Sequence, residues 1–245
     1  MAGCHARDMK WVALAAMVLA VQPAAASQDC TEDAIIVFDG SGSMSEMGFN
    51  RLDTPRIFEA REALHRIIPR IERLRRLGLT VYGPGAARDA CESVTHHFPP
   101  TASAGARILS VIDELAPAGP TPLTRAVAEA AEALDYTRRP ATVVLVTDGK
   151  ETCGGATCQL AAHLAHEGVD LTVHVIGFKV RAEHFDWGRG VNVGAETAAS
   201  CLAETTGGQY VPAETVDDLV AALSLTLGCP VYGASGPLQR KTPPG

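Results

Sequence analysis

The chain has 245 residues, 47% of them hydrophobic, with 21 basic against 28 acidic side chains and a net charge of −7. That apolar share supports a large packed core, and the acidic balance argues against a nucleic-acid or anionic-membrane partner held by overall charge. At the N-terminus, Arg7 and Lys10 precede the nearly apolar run Trp11 to Val21, and Ala24-Ala25-Ala26 forms a small-residue cleavage site. The run is too short to span a bilayer, so residues 1–26 read as a secretory signal peptide, and the mature chain is expected in the periplasm or outside the cell, without a transmembrane span. No Cys directly follows the small residues, which argues against a lipoprotein anchor. Residues 27–32 read as a linker and 33–228 as one domain. Residues 229–245, rich in Pro and Gly, read as a flexible tail.

Ile35 to Phe38 is an apolar run of strand type that stops at Asp39. Asp53 or Thr54 is placed to cap a helix with Pro55 in its first turn. Its apolar period continues to about Leu77, with Pro69 expected to kink or split it and Gly78 to end it. Arg66, Arg70, Arg73, Arg75 and Arg76 would form a solvated face of that helix. Leu79, Val81 and Tyr82 make a short strand. Glu92 to Phe98 makes an antiparallel edge strand fed by a hairpin-like loop and stopped by Pro99-Pro100. Adjacent strand residues face opposite ways, so His96-His97 is no metal pair. Helices follow over Ala104 to Leu115, Leu123 to Tyr136 and Thr157 to Glu167. A strand, Thr142 to Thr147, ends on Asp148-Gly149, and another covers Leu171 to Ile176. His163 and His166 have ligand spacing on their helix but nothing nearby completes a site. After an irregular stretch from Lys179 to Gly194, a helix at Ala195 to Thr206, a strand at Tyr210-Val211 and a helix at Asp217 to Leu227 close the chain. This alternation predicts an α/β fold: a doubly wound, mostly parallel sheet covered on both sides, with one antiparallel edge strand.

Asp39-Gly40-Ser41-Gly42-Ser43 sets a carboxylate and two hydroxyls on a glycine-rich turn at a strand's carboxyl end, half of an all-oxygen shell for a hard divalent cation. Thr121, in the turn Gly119-Pro120-Thr121-Pro122-Leu123, and Asp148 bring the set to five oxygen-bearing side chains from three loops. This pattern resembles the von Willebrand factor type A (VWA) domain and its metal-ion-dependent adhesion site (MIDAS): Asp-x-Ser-x-Ser, then a Thr, then an Asp after a later strand. Thr121-Pro122-Leu123 and Thr147 to Gly155 resemble a secreted bacterial branch, from which Pro120 departs in place of a second Gly. The resemblance covers about Asp33 to Leu227. It implies a Rossmann-like VWA fold with the Asp39 and Asp148 strands adjacent. It also implies a bound Mg2+ (or Mn2+ or Ca2+), with Ser41, Ser43 and Thr121 as direct ligands and Asp39 and Asp148 as ligands directly or through water. A partner protein's Asp or Glu would complete the shell.

Seven cysteines, one of them Cys4 in the leader, leave an even set for an exported chain, so disulfides are expected. Cys153 and Cys158 bracket a Gly-rich loop and are expected to pair locally. A zinc site there lacks a second ligand pair. The resemblance implies that the domain's ends lie close, which would let Cys30 bridge Cys229. Cys91 and Cys201 remain, with no assigned pairing. Phe185 and Trp187, after a strand's carboxyl end, form a candidate partner rim. The expected function is metal-dependent protein binding rather than catalysis. The alternatives are a Mg-dependent phosphoesterase with Asp39 as nucleophile, or a metal-free structural scaffold. The first is disfavoured because Ser41 stands where such enzymes carry a second carboxylate.

Overall fold

The computed structural model describes residues 32–47, 54–84, 90–180 and 196–228. The leader, Cys30, Asp53, Phe185, Trp187, Cys229 and the tail lie outside the described residues.

The sheet is built from β1 (Asp33–Asp39), β2 (Leu77–Tyr82), β3 (Val94–Thr101), β4 (Ala141–Thr147), β5 (Leu171–Phe178) and β6 (Tyr210–Ala213). Its six strands run in the order β3-β2-β1-β4-β5-β6, all parallel except β3, which pairs antiparallel with β2 at the edge. Central strands of Ile, Val and Leu suit burial on both faces. Along β1, Ala34, Ile36 and Phe38 enter one core, and Ile35 and Val37 the other. The first core is covered by α1 (Arg56–Ile71), α2 (Gly105–Glu114) and α6 (Val216–Leu227). The second is covered by α3 (Leu123–Ala133), α4 (Thr157–Glu167) and α5 (Glu196–Thr205). Strand order reverses between β1 and β4, because the chain leaves β1 toward β2 on one side and β4 begins the other half. The carboxyl ends of β1 and β4 therefore flank the crevice where open α/β sheets hold ligands.

Several local expectations are corrected. Pro55, not Thr54, is the residue that flanks α1, and the Arg56 N–H is met by the Glu46 carbonyl at 3.0 Å. Pro69 lies in the last turn of α1, and the helix ends at Ile71 rather than near Leu77. A proline lacks the N–H for the next helical bond, and Leu77 is already the first residue of β2. Gly78 does not stop the helix but lies inside β2. A Cβ there would meet Ile35 Cγ1 and the Phe98 carbonyl at 2.9 Å each, so the position admits no side chain as built. The strand β3 runs through Pro99 and Pro100 to Thr101. At a sheet edge a missing N–H removes no needed ladder bond, and the Pro100 carbonyl accepts from Arg76 Nη2 at 2.7 Å. The arginine set does not form one wet helical face: Arg73, Arg75 and Arg76 follow the end of α1, and Arg75 is buried.

The expected Cys153–Cys158 bridge is absent. Cys91 pairs with Cys153, and Cys158 with Cys201, at Cα separations of 5.5 and 5.2 Å. Cys158 sits in the first turn of α4, which packs beside α5 and its Cys201. Cys153 belongs to a loop drawn the other way, toward the turn Ala90–Glu92 that carries Cys91. Sequence proximity did not place the two sulfur atoms together.

Candidate functional site

The strand β1 ends on Asp39, fully buried, and the chain turns through Gly40 into the short 3-10 turn Gly42–Ser45. Three loops are zipped together by backbone bonds. Gly40 N–H donates to Tyr82 O at 2.8 Å, Gly42 N–H to Gly119 O at 3.0 Å, and Ala118 N–H to Gly40 O at 2.9 Å. The approach is tight enough to require a glycine at position 83. That residue has φ +105°, and a Cβ on it would lie 2.4 Å from the Ser41 nitrogen.

Asp39 is held on both oxygens. Oδ1 accepts from Ser41 N–H at 2.8 Å, and Oδ2 from Thr147 Oγ1 at 2.7 Å and Asp148 N–H at 3.4 Å. Tyr82 Oη donates to Thr147 Oγ1 at 3.0 Å, so the relay Tyr82–Thr147–Asp39 fixes the carboxylate from beneath. Burial raises the Tyr82 phenol well above its usual range, and the Asp39 carboxylate raises it further, so Tyr82 remains a donor.

A second relay runs across the top. Ser43 Oγ donates to Asp148 Oδ1 at 2.6 Å, which commits its proton. Ser41 Oγ, 3.0 Å from Ser43 Oγ, is then the donor of that pair. Both hydroxyls keep acceptor capacity toward the crevice. Burial and then Asp39 push the Asp148 carboxyl up to about 7, against the pull of Ser43 and Arg56. Two carboxylates drawn together in a poorly hydrated site favour a cation beside them.

Thr121 is 5% exposed, and its N–H donates to Thr152 Oγ1 at 2.8 Å, while Thr152 N–H returns a bond to Thr121 O at 3.2 Å. Glu151 Oε2 accepts from Thr124 N–H at 2.8 Å, and its Oε1 from Cys153 N–H at 2.7 Å. The loop after β4 thus carries the Thr121 loop, and the Cys91–Cys153 bridge ties that loop to the sheet edge. Ser41, Ser43, Thr121, Gly149, Lys150 and Thr152 line one cavity of about 300 Å3.

Of the five expected ligands, then, Asp39, Ser41, Ser43 and Asp148 are joined by hydrogen bonds, directly or through Thr147 and the backbone. Thr121 faces the cavity that Ser41 and Ser43 line. Among the described residues no three His, Cys, Asp or Glu side chains gather as a metal site. The donors at this crevice are mainly hydroxyls, hard oxygen ligands of the type that suits magnesium, manganese or calcium. The histidines stay apart: His96 Nδ1 lies 3.0 Å from Thr80 Oγ1, and His163 Nε2 lies 3.4 Å from Tyr136 Oη.

Sequence reading missed four contributors: Arg56, Thr147, Thr152 and Glu151. Thr147, Glu151 and Thr152 lie in the segment that resembles the family branch but were given no role there, and Arg56 carried a signal of its own. A cation in the first turn of a helix opposes the macrodipole, so it needs an anionic partner. Arg56 finds one in Asp148, 2.9 Å away. The ion pair Lys179–Glu59, both buried, was missed as well.

A family model for the von Willebrand factor type A domain matches residues 33–199. YwmC of Bacillus subtilis (strain 168), an uncharacterised protein, is 25% identical over 193 residues, which is 75% of this chain and 78% of YwmC. An aerotolerance-related membrane protein from Bacteroides fragilis superposes with a TM-score of 0.57 at 19% identity, over 80% of this chain and 98% of that one. Proximal thread matrix protein 1 from the mussel byssus, solved with a zinc-occupied MIDAS motif, gives 0.54 at 19% identity, over 82% of this chain and 48% of that one. The sheet order, the helices on both faces and the matched segment agree, and the chain belongs to the von Willebrand factor type A domain family.

Proposed function

We propose that this chain is an exported protein-binding module whose crevice holds one divalent cation, Mg2+ before Mn2+ or Ca2+. Asp39, Ser41, Ser43, Thr121 and Asp148 form its metal-ion-dependent adhesion site. The observation that carries the reading is the relay Ser41–Ser43–Asp148, which lines up hydroxyl and carboxylate oxygens from two loops beside the cavity that Thr121 also lines. The zinc-occupied MIDAS of the mussel protein gives a precedent on the same fold.

The roles follow from the contacts. Asp39, held on both oxygens and buried, positions Ser41 through its N–H and supplies fixed negative charge. Ser41 and Ser43 present neutral oxygens, and the Thr152 bond orients the Thr121 loop. When bound, the cation supplies an electrophilic position toward a partner's Asp or Glu, because neutral hydroxyls offset little of its charge. Position 41 carries a hydroxyl rather than the second carboxylate that phosphoester chemistry uses for proton transfer, which disfavours Asp39 as a nucleophile. Residues 1–26 are proposed as the leader, 33–228 as the domain and 229–245 as a tail. Among the described residues no helix is long and apolar enough to cross a membrane.

Titration calorimetry with Mg2+ tests the site. The chain is expected to bind one ion, Asp39→Ala to abolish binding and Ser41→Ala to weaken it. Equal heats from the chain and Asp39→Ala would refute the assignment. A pull-down from envelope extract, with and without chelator, tests the partner: retention must depend on the metal.

A further inference from the structure

Arg56 opens α1 and is 2% exposed. Its Nη1 donates to Asp148 Oδ2 at 2.9 Å and to the Ser43 carbonyl at 3.0 Å, with Glu46 Oε2 at 3.6 Å. One nitrogen therefore ties the loop bearing Ser41 and Ser43 to the loop bearing Asp148. Nε and Nη2 of the same guanidinium are buried without a hydrogen-bond partner among the described residues. Stability alone does not explain such a group. A buried guanidinium with two idle donors is worse for folding than an apolar side chain of similar shape. Its position at a helix N-terminus, where the dipole disfavours a cation, adds to the penalty.

The contact has a consequence for coordination. Asp148 Oδ1 accepts from Ser43 Oγ at 2.6 Å, and Oδ2 accepts from Arg56 Nη1 at 2.9 Å. With a partner on each oxygen, the carboxylate gives up one of the two bonds if it turns both oxygens to a cation in the crevice. Calcium accepts large, irregular shells and takes carboxylates in bidentate fashion; magnesium demands a compact octahedron and keeps its waters. We propose that Arg56 is a positioning residue that sets ion specificity. By retaining Asp148 Oδ2, it prevents bidentate ligation and biases the site toward Mg2+ against Ca2+. The inference rests on the metal-site reading above and deepens it.

The test is calorimetric titration of Mg2+ and of Ca2+, separately, into the chain, Arg56→Gln, Arg56→Lys and Asp39→Ala, each checked for folding by thermal melting. Arg56→Gln removes the charged guanidinium from Oδ2 and is expected to shift the Ca2+/Mg2+ affinity ratio toward Ca2+ by about tenfold. Arg56→Lys, with one ammonium in place of the planar fork, is expected to shift it the same way by about threefold. The lysine variant carries the test where the glutamine variant does not fold. A purely structural role lowers both affinities alike, so an unchanged ratio in the folded variants overturns the inference alone. A wild-type chain that binds neither ion, or an Asp39→Ala variant that binds as wild type does, overturns the metal-site reading and this inference with it.

Discussion

The two covers of the sheet are fastened by different chemistry. On the side of α1, α2 and α6 the core is rich in Ile and Leu, and α1 carries the buried charges Arg56, paired with Asp148, and Glu59, paired with Lys179. On the side of α3, α4 and α5 the helices are lined with alanines, which let them lie close to the sheet, and both described disulfides lie on this side. Each fastening reaches one part of the crevice. Arg56 grips Asp148 from the first cover, while the Cys91–Cys153 bridge supports the loop that carries Thr121 from the second. One half of the site should therefore answer to charge, and the other to redox state.

The largest effect that sharpens this contrast is expected at Lys179. Lys179→Met leaves Glu59 buried without its partner, and a broken buried pair typically costs about 3–5 kcal/mol. Urea unfolding should show that loss, and Lys179→Met with Glu59→Gln should recover much of it. Additive losses in the double variant would mean that the two residues do not act as a unit.

Next come the cysteines. Replacing Cys91 and Cys153 by Ser opens a link across 62 residues and should cost about 2–4 kcal/mol. It should also weaken magnesium binding, because the Thr152–Thr121 contact loses its support. Replacing Cys158 and Cys201 should lower the melting temperature without weakening magnesium binding, since neither cysteine lines the cavity beside Ser41, Ser43 and Thr121. Identical affinity losses from the two double variants would break the distinction.

The smallest expected effect is a pH dependence on the first cover. Burial, and then the charge of Arg75, lowers the His174 pKa to about 4, and its Nδ1 accepts from Gln209 N–H at 3.1 Å. The unfolded chain takes up this proton near pH 6.5, and the folded chain only near 4. Stability is therefore complete above about pH 6.5 and lost as pH falls toward 4. Discounted for partial exposure, the loss is about 1–2 kcal/mol. The difference in unfolding free energy between the chain and His174→Gln should change across that window. A constant difference would show that the histidine titrates alike in both states.

Most of the architecture was legible because the central strands are short apolar runs and the helices keep their period. Where reading failed, a tertiary contact had overruled a local signal. Gly78 looks like a helix stop, yet it is glycine because β1 and β3 crowd it. Pro99 and Pro100 look like strand breakers, yet an edge strand does not need their N–H groups. The cysteines were misassigned because proximity in sequence says nothing about which way two neighbouring segments are drawn. At the site, the oxygen-bearing side chains announced themselves by spacing on three turns. Their supports did not: Thr147 looks like another strand residue, Glu151 and Thr152 like loop residues, and Lys179 begins the irregular stretch.

The central claim is that one cation sits among hydroxyls from two of these loops, with the carboxylates beside it. A crystal of the chain grown with Mn2+, examined for anomalous scattering, tests this most directly. The account predicts a single strong peak within about 2–2.5 Å of Ser41 Oγ, Ser43 Oγ and Thr121 Oγ1. A peak elsewhere, or ordered loops with no peak at a saturating concentration, would contradict it.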